Sequence, residues 1–359
     1  MINELVIHLG DTKTGSTSIQ KVLAQKAYEV PGRSICYPGR TNHNPLGKTL
    51  SRRRLFKDRE NRFREIAKVF LDSTADYGIV SAELFQSVDP RVLNDAIETY
   101  WPQFRDRLRL VSYVRPHAEK FLSSFSERVK LGAEFESLDA FLEDQSRNGT
   151  LDYTPRFESW RGVFGNRFEL RPFVRERLCR GDVVQDFFQY VSGTEDFKIT
   201  SRIEANSSLT VSQLAFLKEM HVQLKAGMGA RPKPVLKDAQ NSLGRLVGEH
   251  MGANELGADG SKLRMPAELF ERFRERYAAD AEALDTAFFD GFPMSEALEK
   301  SAGNTADVPQ SLKSEDYFDP ATIRSLRTFS QVLADLLVEK PAQIKKAIGN
   351  IRVFDETAS

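Results

Sequence analysis

Five short β-rich runs, at residues 5–9, 34–37, 78–82, 108–114 and 167–173, alternate with segments of helical pattern. That alternation constrains the fold more than any other feature. A parallel pair of strands needs a crossover connection, and the crossover helices cover the sheet on both faces. The chain therefore reads as α/β, a parallel sheet flanked by helices. A first helix is expected from Ser16, where Ile19, Val22 and Leu23 recur at core-facing spacing. From about residue 205 the strand signals fade: residues 1–210 read as the core of a domain, 211–300 as its helical part and 301–359 as a helical C-terminal extension. Seven of the 22 glycines fall between Gly227 and Gly260, beside Pro232 and Pro234, and imply an irregular, mobile insertion. Helices resume near Pro266 and near Thr322, where Ile323, Leu326, Phe329, Leu333 and Leu336 form an apolar stripe. The stripe is expected to pack on the main domain; the alternative is a sister subunit, an oligomer through the C-terminal helices.

The first run leads straight into GDTKTGST, residues 10–17. In the usual nucleoside-triphosphate loop, G-x-x-x-x-G-K-[ST], the lysine follows the second glycine and reaches the outer phosphates, and the next hydroxyl holds Mg²⁺. Gly10 and Gly15 keep that spacing and Thr17 is in place, yet Ser16 occupies the lysine position and Lys13 lies inside the loop. A loop between a strand end and a helix start still offers a phosphate site, because free N–H groups and the positive end of the helix dipole point at it. Without a lysine after Gly15, ATP hydrolysis is disfavoured. PLGKT, residues 45–49, contains G-K-T but has Asn42 where the first glycine belongs. Lys13 would sit against a phosphate held by the amides of residues 15–18 and neutralise charge on the atom bridging it to a transferred group. That arrangement suits a phosphate-monoester leaving group and a transfer without metal.

The stretch IHLGDTKTGSTSIQ resembles the 5′-phosphosulfate loop of sulfotransferases that use 3′-phosphoadenosine-5′-phosphosulfate (PAPS), especially bacterial members with a K-T-G-T-T/S-S loop. A second element, LRLVSYVRPHAEKFLSSFSERVKL at residues 108–131, ends its β-run in Arg115, continues with Pro116 and reaches Ser123 eight residues after the arginine. It resembles the family's 3′-phosphate element, in which an always-charged fork and a hydroxyl clasp the phosphate that distinguishes PAPS from ordinary nucleotides. GIVSAELF, residues 78–85, resembles the strand ending in S-[SA]-E whose glutamate lies near the acceptor; Glu83 holds that position. RPFVRERLCRGDVVQDFFQYV, within residues 168–191, resembles the late core strand and following helix. The resemblance covers roughly the first 210 residues, thins toward residue 300 and ends there.

The resemblance implies a P-loop-type sheet, PAPS as donor and no metal. It places Thr12, Lys13, Thr14, Gly15, Ser16, Thr17 and Ser18 around the 5′ end of the donor and Arg115 with Ser123 at its 3′-phosphate. Lys13 would stabilise the leaving group. Glu83 would take the proton of an acceptor hydroxyl, since transfer to an alcohol needs a base within hydrogen-bond reach. A carbohydrate is the first expectation for that acceptor, and a small alcohol, lipid head group or peptide tyrosine remains open. Acceptor pockets in such folds are built by variable loops, here residues 39–64, 131–156 and the glycine-rich stretch.

Ordinary readings stand beside these. Lys13 and Gly15 could form a tight turn with a solvated lysine, Arg115 and Ser123 a strand-end charge and a helix-face serine, and Glu83 a cap or ion-pair partner. His8 is the rival base, although on the first strand a hydrogen-bonded core position is expected. The other histidines, His43, His117, His221 and His250, show no ligand spacing. Residues 48–64, KTLSRRRLFKDRENRFR, hold eight basic residues against two acidic ones and read as a solvated face, with steering of an anionic acceptor as the alternative.

Lys+Arg and Asp+Glu both total 51, so the whole chain gives no case for nucleic acid or a membrane surface. No apolar run approaches a membrane span and the start MINELVIHLG does not read as a signal peptide. Cys36 and Cys179, far apart, read as reduced and mostly buried thiols of a cytoplasmic protein. Two other classes stay open: a nucleotide-dependent kinase-like phosphotransferase, and a non-catalytic module binding a nucleotide or glycan.

Overall fold

The computed structural model describes residues 1–39, 41–133, 135, 137–201, 208–229, 232–254 and 260–358, without the side chains of 254 and 352–358. The chain divides into two units, one of Met1–Lys120, Thr150–Ala205 and Glu275–Lys300, the other of Phe121–Gly149, Asn206–Arg274 and Ser301–Ser359.

The first unit holds the sheet. Its strands are β1 (Glu4–His8), β3 (Ile35–Cys36), β4 (Tyr77–Ser81), β5 (Leu108–Val114) and β6 (Phe168–Pro172), and β2 (Tyr28–Glu29) and β7 (Lys198–Ile199) form a separate antiparallel ribbon. All five β-rich runs became strands, each end within two residues of its expected position. The order is β3-β4-β1-β5-β6, every pair parallel. Central strands of such a sheet are covered on both faces and so need continuous apolar runs rather than alternation. ELVIH in β1 buries four of five residues and YGIVS in β4 buries all five. Helices Ser16–Gln25 and Val183–Ser192 cover one face: Val6, Ile79 and Val111 of the sheet share a buried cluster with Ile19, Leu23 and Phe187. Ile19, Val22 and Leu23 are buried as their spacing predicts.

The order also fixes where a ligand can sit. After β1 the chain crosses toward β3, whereas after β5 it moves outward to β6, so connections leave β1 and β5 in opposite directions. The carboxyl ends of two such strands frame a crevice, the usual ligand position of open α/β sheets. Both motif-bearing loops, after β1 and after β5, open there.

The second unit is helical. The change of character expected near residue 205 falls in residues 202–207, outside the described residues. Helices Leu138–Asn148, Val211–Met228, Pro234–Asn254, Pro320–Glu339 and Pro341–Ala358 belong here, joined by the later part of His117–Lys130 and the earlier part of Ala267–Phe288. Phe121, Phe125 and Phe135 pack around Phe141 with ring centroids 4.8 to 5.4 Å away.

Three expectations are corrected. The glycine-rich stretch is mostly helix: Val211–Met228 runs past Gly227, and Pro234–Asn254 contains Gly244, Gly248 and Gly252; residues 230, 231 and 255–259 lie outside the described residues. The reason is close approach rather than flexibility, since a Cβ on Gly244 would lie 2.2 Å from the Lys130 carbonyl oxygen and 2.5 Å from His221 Nε2. The stripe on Pro320–Glu339 is shifted. Ile323 and Leu326 are buried, but the face continues through Ser330, Ala334 and Leu337, leaving Phe329 70 % and Leu336 48 % exposed. Small residues win that face because Ala334 meets Gly227, where a Cβ would come within 2.8 Å. Cys36 and Cys179 are free thiols, half-buried rather than mostly buried, each at the margin of the core.

Candidate anion site at the carboxyl ends of the sheet

The loop from His8 to Ser16 turns on unusual backbone. Gly10 and Gly15 have φ of 54° and 75°, and Lys13 has φ of 69°. Glycine takes that left-handed conformation freely, but a lysine there costs about 1–2 kcal/mol. Strain of this kind persists only where the surroundings over-determine it. They do so here. A Cβ on Gly15 would fall 2.5 Å from Val183 Cγ1, which wedges the loop against the helix Val183–Ser192.

The loop's carbonyls are held from below. The Asp11 carbonyl accepts from Thr14 Oγ1 at 2.7 Å and Ser16 Oγ at 3.1 Å. The Thr12 carbonyl accepts from Lys120 Nζ, which also donates to Thr12 Oγ1 at 2.7 Å. The Lys13 carbonyl accepts from Arg115 Nη1 at 3.2 Å. The amides are left on the other side. Ser18 N closes on the Gly15 carbonyl at 2.9 Å, as a first helical turn does. The amides of Thr14, Gly15, Ser16 and Thr17 find no acceptor among the described residues, and no side chain caps the helix Ser16–Gln25. By contrast, Asp182 caps Val183–Ser192 through Val184 N and Gln185 N. The N-terminus at the loop is therefore open to an anion, with the helix dipole behind it. Of the amides expected to form the cradle, that of Ser18 is already used and that of Thr14 joins the set.

Each sequence-derived residue can now be placed. Lys13 and Arg115 meet at the switch point through the 3.2 Å bond. Arg115 lies over the Phe173 ring at 5.7 Å and pairs with Glu119 at 3.3 Å, leaving about a quarter of its side chain exposed. Thr12 and Ser18 are half-buried, Thr14 and Ser16 buried, and Thr17 exposed. Glu83 opens the 3₁₀ turn Glu83–Ser87 directly after β4. Its backbone abuts the loop, as a Cβ on Gly10 would lie 3.0 Å from Glu83 Cα. Ser123 is half-buried on His117–Lys130, in the part of that helix belonging to the second unit.

His8 is excluded as a base by its surroundings. It is fully buried, its Nδ1 is 2.8 Å from Ser81 Oγ, and burial pulls its pKa down to about 3. His43 is similar: Ser81 N donates to its Nδ1 at 3.0 Å, and burial lowers its pKa to about 4 despite nearby backbone carbonyls. The basic run spans the helix Asn44–Ser51, the 3₁₀ turn Arg53–Asp58 and the start of Arg59–Asp72, with Arg52, Arg53, Arg54 and Lys57 exposed.

Sequence reasoning missed three residues. Asp11 is 1 % exposed and accepts from Lys120 Nζ at 2.8 Å and Arg156 Nη2 at 3.0 Å. Burial alone would raise its pKa, but the two cations outweigh burial and hold the carboxyl below the usual range. Asp11 carried a signal, as an acid in a tight strand-to-helix loop needs a cation once it is buried. Lys120 and Arg156 carried none, lying far along the chain among other charged residues. Arg156 is placed by its helix, Tyr153–Phe164, whose first amides are capped at a distance by Asp280 at 2.9 and 3.0 Å.

Comparison with protein-family models, with curated proteins and with solved structures finds no match. No helix among the described residues is long and apolar enough to cross a membrane.

Proposed function

We propose that this chain is a PAPS-dependent sulfotransferase acting on an acceptor hydroxyl, with a carbohydrate as the first acceptor class to test. One observation carries the reading. Two sequence elements that separately resemble the 5′- and 3′-phosphate elements of that family lie on neighbouring strands, and Arg115 of one donates to the Lys13 carbonyl of the other.

In this reading the amides of Thr14, Gly15, Ser16 and Thr17 receive the donor's 5′-phosphate, and Arg115 anchors its 3′-phosphate. The resemblance adds Ser123 as the hydroxyl partner. The donor supplies a sulfuryl group on a phosphate leaving group. Lys13 stabilises charge on the bridging oxygen as the S–O bond to phosphate breaks, the kind of electrostatic assistance that is commonly the largest catalytic term. Glu83 takes the acceptor's proton as its oxygen bonds to sulfur, so one S–O bond forms, one breaks and the proton ends on the carboxylate. No metal enters this scheme, and the reaction is assigned to the cytoplasm.

The test is calorimetric titration with 3′-phosphoadenosine-5′-phosphate (PAP), the desulfated product, beside AMP and ATP with and without Mg²⁺. Metal-independent binding that requires the 3′-phosphate and is lost in Arg115→Ala is the expected result. Preference for ATP with Mg²⁺ would replace the reading by a phosphotransferase, and absence of PAP binding would overturn it.

A further inference from the structure

Asp11 poses a problem for any anion-binding loop: its carboxylate repels the ligand that the loop is shaped to receive. A fixed negative charge in such a position persists only if it does something that outweighs the repulsion. Its surroundings show what that is. Asp11 Oδ1 accepts from Lys120 Nζ at 2.8 Å and from Thr12 N at 2.7 Å, and Oδ2 accepts from Arg156 Nη2 at 3.0 Å. Lys120, 3 % exposed, goes on to bind the Thr12 carbonyl and hydroxyl. Arg156 lies over the Phe157 ring at 4.4 Å and the Tyr153 ring at 5.3 Å, which restricts its fork.

Because the peptide unit is planar and trans, fixing the carbonyl of one residue aims the next N–H the opposite way. Lys120 pins the Thr12 carbonyl, and Arg115 pins that of Lys13. The Arg115 bond thereby aims Thr14 N away from the pinned Lys13 carbonyl, and the Lys120 bond fixes the peptide that leads into Lys13. We infer that Lys120, Asp11 and Arg156 form an ion triad, buried at Asp11 and Lys120 and partly exposed at Arg156, that sets the loop's conformation, acting as positioning residues that touch no substrate. The inference rests on the reading of this loop as the donor's phosphate cradle. It explains how Lys13 is kept at positive φ: Asp11 fixes Lys120, Lys120 fixes Thr12, and the chain is left no other path to Gly15. It also separates two kinds of cation around one loop, Arg115 with about a quarter of its side chain exposed and Lys120 buried against Asp11.

The test exploits a difference in sign. If Asp11 were only a counter-charge, Asp11→Asn would remove repulsion and tighten PAP binding. The triad predicts the reverse, binding weaker by about tenfold, equivalent to about 1.4 kcal/mol. The independent readout is ¹⁵N relaxation of threonine-labelled, ligand-free protein. Order parameters of the Thr12 and Thr14 amides should fall from about 0.85 toward 0.6 in Asp11→Asn, with threonines of the second unit unchanged. Arg156→Met, at a partly exposed position, should show the same changes in milder form and Arg156→Lys should restore them in part; these two variants decide the matter if Asp11→Asn fails to fold. Unchanged relaxation, or tighter PAP binding, would overturn the triad. Wild-type protein that fails to bind PAP would overturn the proposed function instead, and relaxation alone would then decide the triad.

Discussion

The two ends of the sheet are both rich in charge and differ in what they leave over. At the amino ends, donors and acceptors answer one another. Asp76 accepts from Ser34 N and Oγ and from Asn3, and Glu4 pairs with Arg109. Arg109 also donates to the Tyr190 and Val191 carbonyls in the last turn of Val183–Ser192, where a cation suits the helix dipole. The shallow hollow there is lined by Arg33, Arg107 and Arg109 against Glu4, Asp76 and Asp106, so charges balance. At the carboxyl ends, Arg115 and Lys120 aim at backbone carbonyls, one buried carboxylate is shared by two cations, and four amides are left without an acceptor among the described residues. A sheet end whose polar groups satisfy one another is a seam. One that leaves backbone donors over has the chemistry to take an anion.

The strongest way to break that contrast is at Lys13. Lys13→Ala should lower turnover, read as PAP release from PAPS with a carbohydrate acceptor, by about 10²–10³-fold while changing PAP affinity less than tenfold. Equal turnover would remove the chemical role of the carboxyl end. Glu83→Gln should cost about 10²-fold at saturating acceptor, the lower range for a positioned base. A full rate in that variant would remove Glu83 from the chemistry.

Much of this end was legible in the sequence, for physical reasons. Strands buried on both faces must be runs such as LVIHL and LRLVSYV, and a strand-to-helix loop bounded by Gly10 and Gly15 was expected where the backbone does turn on positive φ. What was not legible depended on partners distant in sequence. Lys120 follows Glu119 and precedes Phe121, and nothing local says that its ammonium lies under the loop rather than in water. The two-residue strands β2 and β7 are too short to show any period. The glycines at 244, 248 and 252 were misread through composition, although their spacing of four, one face of a helix, was the usable signal. Conversely, His8 on a buried strand was rightly expected in the core, because burial there leaves an imidazole no water to support a charge.

Acidification sharpens the comparison, because two of the four buried imidazoles, His8 and His43, lie at the carboxyl ends, while His221 of the second unit, its pKa also lowered to about 4 by burial, adds a share of its own. His8 closes β1 and His43 bonds to Ser81 at the end of β4. Unfolded, each takes up a proton near pH 6.5; folded, burial delays this to about pH 3 and about pH 4. The unfolded chain therefore binds more protons between those values, so stability is retained above pH 6.5 and falls as pH drops below it. At pH 5.5 each histidine should cost about 1.4 kcal/mol. Denaturant titrations from pH 7 to 5 should show this slope, and His43→Gln should remove one histidine's share. A slope unaffected by His43→Gln would mean that His43 is protonated in the folded protein.

The smallest effect belongs to the amino ends. Arg109→Met removes a cation whose pair with Glu4 is about a third exposed, so water screens much of the attraction, and the Tyr190 and Val191 carbonyls it leaves behind close a helix whose end solvent can reach. About 1 kcal/mol of unfolding free energy is expected to go, with PAP affinity unchanged. The second half of that expectation matters more than the first. Strand β5 carries Arg109 near one end and Arg115 just beyond the other, so a seam that transmitted strain along the strand would move Arg115 and weaken PAP binding together with stability. Binding that holds while stability falls would show that the rigid central strands insulate the two ends. Loss of both would show that the balanced end also sets the geometry of the unbalanced one.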